Sequence, residues 1–68
     1  MKNAVEVLEV LHSIDGWVST ISGRNLLKKF FNIEIAGVCY KRVTDALEQY
    51  NLIECRKTTK DIECKCLK

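Results

Sequence analysis

The chain has 68 residues, four cysteines, three glycines and no proline; 47% of its residues are hydrophobic, 29% are charged, and the formal net charge is +2. That length allows one small core and too little wall to enclose a substrate as most enzyme folds do, and the composition is globular, neither disordered nor membrane-spanning. The longest uninterrupted apolar run is three residues, so neither a transmembrane helix nor a signal-peptide core is expected. This points to the cytoplasm, where cysteines normally persist as free thiols.

The first element reads as a helix over about residues 4–14. Ala4, Val7, Leu8, Leu11 and Ile14 recur at helical spacing, with Val5 and Val10 on the margin of the stripe. Asn3 and Glu6 have the spacing of a capping box. Trp17 to Ile21 is rich in β-formers and reads as a short strand. Ser22 is placed as the N-cap of a second helix over about residues 23–31, with Ile21 and Leu26 as a hydrophobic staple. Leu26, Leu27, Phe30 and Phe31 form its expected buried face, opposite Arg24, Lys28 and Lys29.

A turn follows, then a third helix over about residues 37–50. The spacing of Cys39, Val43, Ala46, Leu47 and Tyr50 predicts its core face, with Tyr40, Lys41, Thr44, Asp45 and Glu48 mainly outward. Asn51 ends it, because asparagine tolerates the left-handed conformation common just past a helix.

Residues 52–57 and 62–67 both alternate apolar and polar, so a hairpin centred on Thr59-Lys60 is expected. Its register pairs Glu54 with Lys65 and Arg56 with Glu63 on one face. On the other it pairs Ile53 with Cys66, Cys55 with Cys64, and Lys57 with Ile62. A one-residue slip would destroy the charge matches and the apolar matches together.

Helix, short strand, helix, turn, helix and hairpin is the order of a winged helix-turn-helix domain, an α+β fold of three helices with a C-terminal two-stranded wing. Leu47-Glu48-Gln49-Tyr50-Asn51-Leu52-Ile53 resembles that family's pattern L-E-x-x-G-L-[IV] at the end of the recognition helix, with Asn51 in place of the usual glycine. Val18-Ser19 and Leu26-Leu27 resemble the family's strand and second helix. In size and cysteine usage the chain is similar to small winged-helix regulators of archaea and their viruses.

The resemblance implies a transcriptional regulator that binds double-stranded DNA. The third helix would enter the major groove, with Tyr40, Lys41 and Thr44 outward and Arg42 on the flank. Arg24, Lys28 and Lys29 would meet backbone phosphate, and the wing would add Arg56, Lys57 and Lys60, partly offset by Asp61. Charge is distributed to suit: residues 21–44 hold five basic groups against one acidic, while residues 1–20 hold one basic against three acidic. Lysines at helical spacing are, however, ordinarily a solvated face, and Asp45 and Glu48 on the third helix would repel phosphate. Such domains often act as homodimers on palindromic sites, and Val5 and Val10 are the candidate contacts here. A protein-binding winged helix without DNA affinity, and a cysteine-based metal or redox sensor, stay open as alternatives.

The cysteines are not scattered. Cys39 is expected as a small buried hydrophobe on the third helix. Cys55, Cys64 and Cys66 share the inner face of the hairpin, and the register sets Cys55 opposite Cys64 as a candidate disulfide. Buried free thiols are the plainer alternative. A zinc or iron–sulfur site would need Cys55, Cys64 and Cys66 with Cys39 or His12, but the sequence has no C-x2-C knuckle. His12 is expected to be partly buried and Trp17 to cap the core. No catalytic constellation, cofactor motif or small-molecule substrate site is indicated.

Overall fold

A computed structural model describes residues 2–67. It holds α1 (Ala4–Ser13), β1 (Val18–Ser19), α2 (Thr20–Phe31), α3 (Gly37–Gln49), β2 (Ile53–Lys57) and β3 (Ile62–Cys66). The strands form an antiparallel sheet in the order β1-β3-β2. The result is a small α+β domain of three helices and three strands, and no helix among the described residues is long and apolar enough to cross a membrane.

The hairpin has the register expected from alternation: Ile53 faces Cys66, Glu54 faces Lys65, Cys55 faces Cys64, Arg56 faces Glu63 and Lys57 faces Ile62. Of the two expected charge pairs, Arg56 and Glu63 meet at 2.9 Å, while Lys65 turns to Trp17 instead, 5.0 Å from the ring centre. Cys55 and Cys64 are joined by a disulfide. The short strand β1 pairs with β3, with Val18 opposite Cys64 and Ser19 opposite Glu63.

The core is built from Val7, Val10 and Leu11 of α1, Leu27 of α2, Tyr40, Val43 and Leu47 of α3, and Val18, Ile53 and Cys64 of the sheet. Burial at about 25 cal/mol per Å² of apolar surface is the main force holding these elements together. Val10 is only 1% exposed: α1 lies against α2, α3 and β3 at once, which removes Val10 as a dimer contact and leaves Val5 exposed.

The starts of α1 and α2 differ from expectation. Asn3 adopts the left-handed conformation and makes no side-chain cap; its carbonyl accepts from the Val7 amide at 3.0 Å. The second helix begins at Thr20, not Gly23, because Ser19 is its N-cap and accepts from the Ser22 amide at 3.1 Å. Ile21 is therefore exposed and no staple forms. The core line of α2 runs through Gly23 and Leu27 and the helix then ends; Phe30 and Phe31 straddle its extension and stay 51% and 37% exposed. At the end of α3, Asn51 has φ 63°. Its amide donates to the Glu48 carbonyl and the Leu52 amide donates to the Leu47 carbonyl, the paired bonds of a Schellman motif.

The third helix is rotated from the expected face. Tyr40, Val43, Thr44 and Leu47 point inward, whereas Cys39 is exposed and Tyr50 is 77% exposed. Two apolar lines overlap in this stretch, and the one carrying the tyrosine ring buries more surface than the one carrying Cys39. The Thr44 hydroxyl is satisfied within the helix, donating to the Lys41 carbonyl at 2.9 Å.

Candidate nucleic-acid interface

Lys41 and Arg42 of α3 are exposed, as are Lys28 and Lys29 of α2 and Arg56, Lys57 and Lys60 of the hairpin. Tyr40 and Thr44, expected to reach outward, are 1% and 3% exposed and so cannot touch a ligand. At 100° per residue, Val38, Arg42, Asp45 and Gln49 form the central ridge of the uncovered face of α3, and Lys41 flanks it. Glu48 sits at the edge of that face and turns to the sheet, where its carboxylate accepts the Cys55 amide at 3.2 Å. It thus covers part of the free edge of β2.

The basic groups differ in how free they are. Arg24 is partly buried and its Nε donates to the Ile35 carbonyl at 2.8 Å, tying α2 to the loop before α3. Lys28 is 3.3 Å from Glu34 across the same loop, an exposed pair of little energetic weight. Arg56 bonds Glu63 and lies 4.1 Å from the centre of the Trp17 ring. Trp17 is thus a support for two cations on the outer sheet face, not the cap of the core expected of it. Among the described residues, Lys29, Lys41, Arg42, Lys57 and Lys60 form no ion pair.

Two open grooves join these elements. One, of about 460 Å³, lies between α2 and the loop before α3 and includes Ile21, Arg24, Lys28 and Ile35. The other, of about 480 Å³, lies between the start of α2 and the hairpin tip and includes Ile21, Arg56, Lys60 and Asp61. Ile21 lines both, so the hairpin tip, the outer side of α2 and the loop before α3 make one continuous surface.

Asp61 holds the hairpin tip in that position. Its carboxylate accepts the Thr20 amide at 3.0 Å and the Ile62 amide at 2.7 Å, which places a negative charge at the N-terminus of α2. The Ile62 amide is the chief cause that holds this carboxyl below the usual range. Burial opposes it, and the Thr20 side chain with the amides of Thr20 and Ile21 reinforces it. The sequence suggested only that Asp61 offsets nearby lysines; its role as a cap depends on a contact across 41 positions.

The cysteine alternatives narrow. Cys55 and Cys64 are tied to each other and Cys39 is exposed on α3. Among the described residues no three His, Cys, Asp or Glu side chains gather as a metal site. His12 is exposed, not partly buried, and stands beside Cys66. Comparison with known proteins finds no matching family, no matching characterised protein and no matching solved structure.

Proposed function

We propose that this chain is a winged helix-turn-helix protein that binds double-stranded DNA and regulates transcription by occupancy. The observation that carries this is topological: β1 pairs with β3 and Asp61 caps α2, so the hairpin tip stands beside α2 while the face of α3 bearing Lys41, Arg42 and Gln49 stays uncovered. On this proposal α3 faces the major groove, Lys57 and Lys60 meet phosphate as a wing, and Lys28 and Lys29 meet it from α2. Arg24 contributes mainly by fixing the loop before α3.

Phosphate contacts supply affinity and its salt dependence; contacts to base edges supply sequence preference. Asp45 in the middle of the α3 ridge repels phosphate, but an aspartate accepts readily from the amino group of cytosine, and an exposed Val38 suits a thymine methyl. A protein-binding winged helix is the second reading, favoured by Ile21 and Val38, which are 65% and 62% exposed. A homodimer on a palindromic site would have Val5, not Val10, available on α1.

Fluorescence anisotropy with labelled duplex DNA across a salt series tests the proposal. Lys41→Ala with Arg42→Ala is expected to weaken binding while the fold is retained. Lys57→Ala and Lys60→Ala should each weaken all sequences alike and reduce the salt slope by about one. No binding of the folded wild-type protein to duplex DNA at low salt overturns the DNA proposal and favours the protein-binding one.

A further inference from the structure

On the side of the molecule formed by α1 and the end of the hairpin, the free thiol of Cys66 has its Sγ 3.5 Å from Nδ1 of His12. The two residues share a cleft of about 290 Å³ whose other walls are Leu8, Leu52 and Glu9. Cys66 stands two residues beyond Cys64 on the same strand face, so it is the sulfur of that face left over once Cys55 and Cys64 are joined. His12 is exposed, while the leucines give the cleft an apolar wall beside the sulfur.

We propose that Cys66 and His12 form a reactive thiol site that takes neutral, apolar small-molecule disulfides. This site is independent of the DNA-binding proposal. The nucleophile is the thiolate, not the thiol, and an imidazole nitrogen at this distance accepts the Sγ proton as attack begins. The sulfur of Cys66 bonds to one sulfur of the reagent, and the reagent's S–S bond breaks. The departing thiolate takes the proton from His12. One disulfide and one thiol are consumed; one mixed disulfide and one thiol are formed. Leu8 and Leu52 hold the apolar arm of the reagent against the sulfur.

Cys39 is the internal control: it is the more exposed free thiol, and the single histidine of the chain is paired with Cys66. The experiment treats the intact, disulfide-containing protein with limiting dithiodipyridine, quenches with acid, and assigns the modified cysteine by peptide mass mapping. Cys66 is expected to react about tenfold faster than Cys39 despite its lower exposure. His12→Gln should bring Cys66 down to the Cys39 rate and leave Cys39 unchanged, with an unaltered Tm reporting that the fold is intact. Leu52→Ser should reduce the preference of Cys66 for dithiodipyridine over the charged oxidised glutathione. A Cys39 that reacts as fast as Cys66, or a Cys66 rate untouched by His12→Gln, overturns the site; an unchanged reagent preference in Leu52→Ser overturns the role of the cleft.

Discussion

The phenolic oxygen of Tyr40 lies where a side chain on Gly23 would begin. The ring of Tyr40, 1% exposed, crosses the backbone of α2 at that glycine and sets how closely α2 and α3 approach. Glycine inside a helix ordinarily costs about 0.5–1 kcal/mol relative to alanine; here the close approach it permits outweighs that cost.

Gly23→Ala is therefore expected to destabilise the protein by roughly 1–3 kcal/mol, the range for overpacking a core, where an open helical site would gain stability. Thermal denaturation followed through the fluorescence of Trp17, the single tryptophan, measures it. Adding Tyr40→Phe should recover part of the loss, since the hydroxyl is the nearest of the atoms in conflict.

The Tyr40 hydroxyl has no hydrogen-bond partner among the described residues. Burial, aided by the charge of Asp61, pushes its pKa up to about 12 from the ordinary 10.0. The folded protein thus keeps a proton that the unfolded chain releases, so the stabilisation is complete below pH 10 and is lost as pH rises from 10 to about 12. Tyr40→Phe should be neutral or stabilising by up to about 1 kcal/mol at pH 7. Urea titrations of both proteins between pH 9 and 12 should show the wild type losing more stability than the variant over that window.

Asp61→Asn removes the charged cap from α2 and is expected to cost about 1 kcal/mol at neutral pH. The folded-state pKa of Asp61 is depressed from 3.8, so its contribution is present above 3.8 and disappears as pH falls through the lower folded value. Denaturant midpoints at pH 7 should differ between wild type and variant, and the difference should shrink toward pH 2.

The Cys55–Cys64 bond closes a short loop, with a sequence separation of 9. Restricting an unfolded loop of that size stabilises by roughly 2–3 kcal/mol in the chain-entropy model. Reduction, or replacement of both cysteines by serine, should lower Tm, and the intact mass without reductant should correspond to one disulfide and two free thiols. An equal Tm with and without reductant would remove the bond from the stabilising set.

Much of the hairpin was legible in sequence because a strand alternates with period 2. Arg56 with Glu63 and Cys55 with Cys64 fit together in one register only, and a one-residue slip exposes the apolar set. The proposed interface was legible less evenly. Lys41 and Arg42 lie outward as their positions suggest, but Tyr40 and Thr44 do not, because Cys39 and Tyr40 belong to two overlapping helical lines that periodicity alone cannot rank. The glycine at position 23 was the available signal: a glycine inside a helix marks a place where something large comes close.

The amino-acid sequence by itself determined the order of helices and strands, the hairpin register, and the left-handed turn at Asn51. Each follows from contacts between near neighbours or from a repeat that every residue in the segment shares. Only the tertiary structure decided that β1 pairs with β3, that Tyr40 and not Cys39 turns inward, that Asp61 accepts the Thr20 amide at the start of α2, and that His12 meets Cys66. These depend on which surfaces fill the same volume once distant segments meet, and no local pattern encodes that volume.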